Sequence, residues 1–230
     1  MPPEVQRRTL GLAGYDVPVV ELAGPADGPR LTVLAGVHGC EYAPVHAGDM
    51  VEALEPFALY DAGISEARAS ELAIGYGLGY VIRQEAGPDR TVGGMTSTAA
   101  AEIGIPAIIA ESGQCGLVEP AAVDRHVRGL DRVLALLGMA DDPAPDTAPR
   151  QALARLRRFQ WMYSAGAGWW EPAVRPGEQV AEGQLLGTVS TLDGAEVLQE
   201  VTAPSPGVPM FITSSPAVAA DGLLLGLGAT

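Results

Sequence analysis

The stretch LTVLAGVHGCEY, from Leu31 to Tyr42, joins an apolar run to a short polar turn. Its first part, Leu31 to Val37, is rich in apolar and β-branched residues and is bounded by proline and glycine, which predicts a buried strand. The residues from Tyr42 to Leu54 predict a helix, in which Pro44 is tolerated because the N–H that proline lacks has no partner in a first turn. We therefore expect a strand–turn–helix unit that places His38 at the end of a strand.

Strand and helix signals continue to alternate along the next part of the chain. Capping residues, early prolines and closing glycines mark the boundaries of these elements. The predicted elements are a helix from Ser65 to Tyr76, a strand at Tyr80 to Ile82, a helix from Met95 to Ile103, a strand from Pro106 to Ala110 that ends at Glu111, and a helix that Glu119 and Pro120 open and Gly138 ends. This alternation predicts an α/β fold.

The character of the sequence changes after residue 140. Asp141 to Pro149 holds three prolines and three aspartates in nine residues, which predicts a linker from 141 to 150 between a domain at 1–140 and a β-rich domain at 151–230. A short arginine-rich helix from Leu153 to Arg158 is expected first, followed by short strands. Within that part, Val180 to Gly187 is echoed by Val218 to Gly226, which predicts two similar β-halves.

Composition excludes several classes of function. The chain of 230 residues has 28 acidic and 14 basic residues, for a formal net charge of −14, so neither nucleic acid nor an anionic membrane is expected as a partner. All basic residues are arginines, which excludes Schiff-base chemistry, a phosphate-loop lysine and lipoyl or biotinyl attachment. Two cysteines far apart in sequence, with no leader-like start and no apolar run of about 18 residues, favour a cytoplasmic protein.

The motif His38-Gly39-Cys40-Glu41 carries two residue types that bind zinc. Imidazole and carboxylate at this spacing can converge on one ion, and a catalytic zinc usually has three protein ligands and a water. A histidine in a turn and a glutamate near the start of a helix explain the same pattern without a metal. On spacing alone, both interpretations stay open.

The wider sequence resembles a known family. Leu34 to Tyr42 resembles the opening signature of succinylglutamate desuccinylases and aspartoacylases, and Gly104 to Gly113 resembles their late strand that ends in E-x-G. The resemblance implies a zinc carboxypeptidase-like mixed sheet with flanking helices, followed by a small all-β barrel-like domain. It also implies that His38 and Glu41 bind zinc and that Glu111 is the general base, whereas the residues alone favour an exposed carboxylate at Glu111.

The resemblance implies an amidohydrolase that acts on small N-acylated amino acids or related amines. In such a reaction zinc activates a water and polarises an amide carbonyl, while a carboxylate takes the proton of the water and passes it to the leaving amine. The expected cofactor is zinc, and the expected partner is a small molecule.

The sequence departs from the family in its middle. Family members carry an Asn-Arg pair that binds the substrate carboxylate and a third zinc-binding histidine before the strand near Tyr80, but here the chain passes directly from Pro56 to Phe57. This pattern indicates an absent internal segment. We expect His46 to point away from Glu41, about 140° around the helix, and His126 to lie on a solvated helix face.

Two functional hypotheses follow from these observations. The first is an active zinc deacylase, for which thiolates of Cys40 and Cys115 are speculative replacements for the lost ligand; small residues in tight turns are the alternative for both. The second is an inactive or internally deleted relative with a partial zinc site. Loss of strands would expose apolar edges, so the second hypothesis also allows for a homo-oligomer or an unstable chain.

Overall fold

The protein is described by a computed structural model that covers residues 4–12, 14–35, 52–85, 95–114, 117–141 and 153–230. The described residues form a sheet of mixed parallel and antiparallel strands with flanking helices, a β-hairpin, and two further antiparallel sheets. The strands are β1 (Glu4–Leu12), β2 (Tyr15–Ala23), β3 (Glu52–Leu54), β4 (Phe57–Asp61), β5 (Tyr80–Gln84), β6 (Ile109–Glu111), β7 (Ala154–Leu156), β8 (Arg158–Tyr163), β9 (Gly168–Pro172), β10 (Leu185–Ser190), β11 (Val197–Thr202), β12 (Gly207–Thr213), β13 (Ala217–Val218) and β14 (Leu223–Ala229). The helices are α1 (Glu66–Tyr76), α2 (Thr96–Glu102) and α3 (Pro120–Leu136).

The mixed sheet has the strand order β6-β4-β5-β7. β4 and β7 each run parallel to β5, and β6 runs antiparallel to β4. Every residue of β4 is buried, which is the pattern of a strand covered on both faces. Because side chains alternate along a strand, β4 supplies one set of residues to each of two cores.

One core lies between the mixed sheet and α1. It contains Ala58 and Val81 of the sheet and Ala69 and Ala73 of the helix. The other core lies on the opposite face, where Phe57, Leu59 and Ile82 pack against the aromatic and aliphatic side chains of β8 and β12. The mixed sheet is therefore a middle layer between helices and a second sheet.

The β-rich part contains two four-stranded sheets, β11-β10-β9-β13 and β3-β12-β14-β8. Their core includes Trp170, Leu186, Val189, Leu224 and Leu227. Neither sheet closes on itself among the described strands, so the expected barrel-like form is not confirmed.

The internal echo corresponds to two matching turns. The N–H of Gln184 donates to the carbonyl of Ala181 at 3.1 Å, and the N–H of Gly222 donates to the carbonyl of Ala219 at 3.0 Å. Each turn leads into a strand, β10 in one sheet and β14 in the other. Each turn has one residue with a left-handed backbone. In the first turn it is Gly183, with φ 78°, and in the second it is Asp221, with φ 57°. Aspartate is one of the few residue types besides glycine that tolerate this conformation.

Two strands pair across the expected domain boundary. β3, from the first part of the chain, joins the sheet of β12, β14 and β8, while β7, from the last part, joins the mixed sheet beside β5. The expected linker at 141–150 lies outside the described residues except for Asp141. The division into domains stays a prediction, and these pairings tie the two parts together through their backbones.

Several predicted elements are confirmed. The helices predicted from Ser65, Met95 and Glu119 match α1, α2 and α3, and the strand at Tyr80 matches β5. Gly77 and Gly138 follow α1 and α3 with positive φ values of 84° and 68°, as closing glycines should. The strand predicted from Pro106 is shorter than expected, since β6 begins at Ile109.

Three predicted elements are wrong in the described residues. Residues 31–35 are neither helix nor strand, and Val33 and Leu34 are exposed. The end of the predicted helix, Glu52–Leu54, is a strand that pairs with β12, and the predicted helix from Leu153 to Arg158 is instead β7 and the start of β8. Short segments take the structure that an available sheet edge offers, and this pairing overrides local propensity.

Candidate active site

Glu111 ends β6 at the edge of the mixed sheet. It stands opposite Phe57 in the antiparallel register, so the two side chains lie on the same face of the sheet. That face is the one that packs against β8 and β12. Glu111 is half-buried, which differs from the exposed carboxylate that the residues alone favour.

The residues after Glu111 fix the direction of its side chain. Ser112 is fully buried and points the opposite way, where its Oγ accepts a hydrogen bond from Arg125 Nη1 of α3 at 3.3 Å. Gly113 has φ 97°, and a Cβ there would lie 3.0 Å from the Cβ of Ala122. The E-x-G motif therefore has a structural reason: only glycine fits this turn against α3.

Glu55 and Tyr80 lie at the same end of the mixed sheet as Glu111. Tyr80 stands beside Phe57 in the register, so Glu111, Phe57 and Tyr80 form one cross-strand row on one face. Burial, and then the charge of Glu55, raises the pKa of the Tyr80 phenol. A Cβ added to Gly177 would lie 3.2 Å from Glu55 Oε2, so this carboxylate also reaches the β-rich part.

Sequence reasoning missed Glu55 and Tyr80 because neither belongs to a motif. The signal that could have found them is the register of β4 and β5. These strands are parallel and begin at Phe57 and Tyr80, so the residues at their first ends lie side by side at one end of the sheet. Glu111 and Tyr80 are two strands apart, which separates their backbones by about 10 Å. Two carboxylates and a phenol thus border one end of the face that β8 and β12 cover.

The other predicted site residues lie outside the described residues. His38 and Glu41, the predicted zinc ligands, fall in the segment 36–51, as do His46 and Cys40, and Cys115 falls at 115–116. Within the ranges that the structure does describe, no three His, Cys, Asp or Glu side chains are grouped so that they could hold a metal. An imidazole and a carboxylate, as on His38 and Glu41, are a suitable donor pair for zinc.

His126 is not on a solvated helix face. It is buried between α3 and α1, where its Nδ1 is hydrogen-bonded to the Tyr76 hydroxyl at 2.8 Å. Burial raises the pKa of the Tyr76 phenol to about 12, so the phenol keeps its proton at neutral pH. The prediction was wrong because α3 packs against α1 on the side that carries His126. The described contacts of His126 are those of a structural residue.

A second polar cluster lies at the opposite end of β4. Asp61 and Gln84 are the last residues of β4 and β5, and they stand opposite each other in the parallel register. Asp61 Oδ1 accepts hydrogen bonds from Thr98 Oγ1 at 3.2 Å and from Gln84 Nε2 at 3.5 Å. Ser97, the neighbour of Thr98, is also buried.

Structures of known proteins share this fold. The product-bound structure of the ectoine utilization protein EutE (DoeB) from Ruegeria pomeroyi matches with a TM-score of 0.65 at 21% identity, covering 80% of this chain and 56% of that one. A succinylglutamate desuccinylase/aspartoacylase structure from Rhodobacter sphaeroides matches with a TM-score of 0.65 at 19% identity, covering 79% and 56%. An aspartoacylase family protein from Mesorhizobium loti matches with a TM-score of 0.57 at 16% identity, covering 78% and 54%.

These likenesses define the class of fold. The neighbours are succinylglutamate desuccinylase/aspartoacylase structures, so the family that the motifs resemble is confirmed at the level of the fold. The chain spans a little over half of the length of each of them. No family model and no curated protein matches the sequence.

A helix that crosses a membrane must be long and apolar. Among the described residues, no helix combines the length and the apolar character needed to cross a bilayer.

Proposed function

We propose that this protein is a zinc-dependent deacylase that hydrolyses the amide bond of small N-acylated amino acids or related amines. The observation that carries the proposal is the combination of the fold with Glu111. The fold is shared with succinylglutamate desuccinylase/aspartoacylase structures, and Glu111 ends the edge strand β6 on the face of the mixed sheet that packs against β8 and β12.

The surroundings of Glu111 suit a general base. A half-buried carboxylate at a strand end is held in place by its backbone pairing, by the buried Ser112 and by the glycine turn against α3. Such a group accepts a proton from a water and returns it to a leaving amine without losing its position. Tyr80, whose pKa is raised, stays a neutral hydrogen-bond donor on the same face.

Zinc would be held by His38 and Glu41, whose side chains have the donor chemistry that the metal prefers. When bound, zinc supplies a Lewis acid and lowers the pKa of a bound water. A third ligand from this chain or from a second chain would complete the site. Cys40 and Cys115 are the candidates within this chain.

The decisive experiment combines zinc content with deacylation over a panel of N-acetyl, N-succinyl and N-aspartyl compounds. Glu111→Gln should keep its zinc and lose about 100-fold or more in kcat, the usual cost of removing a general base. His38→Ala should lose the zinc itself. Glu171→Gln, which changes an exposed carboxylate on β9, is the matched control and should behave as the wild type.

The alternative is an inactive relative that keeps the fold. One observation favours it: the chain spans 56% of the length of the EutE structure. A wild-type protein that folds, binds less than about a tenth of an equivalent of zinc and deacylates nothing in the panel would establish this alternative. Equal turnover by Glu111→Gln and the wild type would instead remove Glu111 from the mechanism.

A further inference from the structure

The polar cluster at the far end of the mixed sheet holds more acceptors than its described contacts satisfy. Asp61 is 5% exposed, Gln84 is 2% exposed and Ser97 is 3% exposed. Asp61 Oδ2, Gln84 Oε1 and Ser97 Oγ have no hydrogen-bond partner among the described residues. Buried polar atoms nearly always have partners. These three atoms are on Asp61, on Gln84 opposite it in the register, and on Ser97, the neighbour of the threonine that donates to Asp61, and they point to a ligand.

The chemistry of the cluster defines what that ligand must offer. Gln84 Nε2 and Thr98 Oγ1 both donate to Asp61 Oδ1. These bonds orient the carboxylate and the amide, and they leave Oδ2 and Oε1 as pure acceptors. The serine hydroxyl also accepts. The partner must therefore be a positive charge or a group with several donors.

The position of the cluster is independent of the proposed active site. Asp61 is four residues from Phe57 along β4, which places it about 13 Å from the row that contains Glu111. It lies at the carboxyl ends of the parallel strands β4 and β5, the usual location of ligand sites in α/β sheets.

We propose that Asp61, Gln84 and Ser97 form a binding site for a small monovalent cation, namely Na⁺, K⁺ or ammonium. One carboxylate with two neutral oxygens carries a single negative charge, which one positive charge neutralises. Ca²⁺ sites use several carboxylates, and zinc prefers nitrogen and sulfur ligands.

The charge balance supports a cation over a neutral ligand. No described arginine forms an ion pair with Asp61; the described pairs join Arg8, Arg68 and Arg83 to glutamates. A buried carboxylate without a positive partner is costly. A bound monovalent cation removes this cost and supplies the contacts that Oδ2, Oε1 and Oγ lack.

The test is thermal unfolding of the full chain in NaCl, KCl, NH₄Cl and tetramethylammonium chloride at equal ionic strength. A cation that binds only the folded state raises the Tm. At ten times its dissociation constant, one of the three small cations should raise the Tm by about 3 °C relative to tetramethylammonium, whose methyl groups hold its charge away from oxygen ligands. Asp61→Asn should abolish this difference, and Asp131→Asn, an exposed carboxylate on α3, should retain it.

Other outcomes would overturn the proposal. Identical Tm values in all four salts would mean that the cluster holds only a buried water. A cation response that persists in Asp61→Asn would place the binding elsewhere. Arg90 follows Gln84 by six residues in the sequence, so a response that appears only in Arg90→Gln would show that the chain supplies its own cation.

A direct measurement covers the case in which Asp61→Asn fails to fold. Excess ²³Na relaxation in the presence of the wild-type protein reports bound Na⁺. Potassium or ammonium should displace it, and tetramethylammonium should not. Relaxation that is equal in the presence and absence of the folded protein, together with no Tm response to K⁺ or ammonium, would contradict the proposal.

Discussion

One glycine allows two of the helices to pack closely. Gly129 of α3 faces Tyr76 of α1, and a Cβ added to Gly129 would overlap the Tyr76 ring. The ring cannot move aside, because it is buried and its hydroxyl is hydrogen-bonded to His126. In an exposed helix, replacing glycine by alanine would stabilise the protein by about 1 kcal/mol. Here the contact between the two helices makes the same replacement destabilising.

We therefore expect Gly129→Ala to destabilise the protein by about 2 kcal/mol, the usual cost of overpacking a filled core. Gly166→Ala is the control, since a Cβ at Gly166 meets nothing within 4 Å, and its effect should stay within about 1 kcal/mol. Chemical denaturation of both variants measures the difference. A Gly129→Ala protein as stable as the wild type would show that the two helices do not approach as described.

At the level of elements, long segments with a regular apolar spacing were predicted better than short segments. The spacing of Val123, Val127, Leu130 and Leu134 determines α3 by itself, and α3 is present as predicted. The segment from Leu153 to Arg158 carries no comparable pattern. Its structure depends on β5 and β14, which are distant in the sequence. A strand that adds to the edge of a sheet forms because of a partner strand that is distant in the sequence, and a local pattern carries no information about that partner.

The same limit applies to the sites. The motif around Glu111 could be found from sequence because glycine and glutamate sit at a fixed spacing after an apolar run. Asp61 and Gln84 each end an apolar strand, and that signal was present in the sequence. Their pairing was not predictable, because it depends on the parallel register of β4 with β5.

An ion pair links α1 to β5 and makes their packing depend on pH. Arg83 Nε donates to Glu66 Oε1 at 2.7 Å, and this hydrogen bond lowers the pKa of the Glu66 carboxyl from its ordinary value of 4.5. A lowered folded-state pKa contributes stability above the unfolded pKa and loses it as the pH falls through the folded value. The pair is about one-third exposed, so its contribution is small.

Glu66→Gln should therefore cost about 0.5 kcal/mol at neutral pH and nothing once the pH is well below 4.5. Urea denaturation at several pH values measures the difference from the wild type. Glu182→Gln, an exposed turn residue, should show no such pH-dependent difference. A cost for Glu66→Gln that is unchanged at low pH would exclude the ion pair as its cause.

At the scale of the whole molecule, the two parts of the chain share their sheets. Only Glu55 and Pro56 separate β3, which belongs to the sheet of β12, from β4, which belongs to the mixed sheet. The Glu55 N–H donates to the Met210 carbonyl at 2.8 Å at this crossing. This is the point at which the family resemblance predicts an absent segment. The chain crosses between two sheets there in two residues.

The proposed zinc centre depends on His38 and Glu41. Zinc-edge X-ray absorption on the purified protein tests it most directly, because the shell distances identify the ligands. We expect bound zinc with a nitrogen and oxygen shell at about 2.0–2.1 Å that includes imidazole scattering, and with a further shell at about 2.3 Å if a cysteine thiolate is the third ligand. Protein without zinc, or zinc whose spectrum is unchanged in His38→Ala, would contradict the claim.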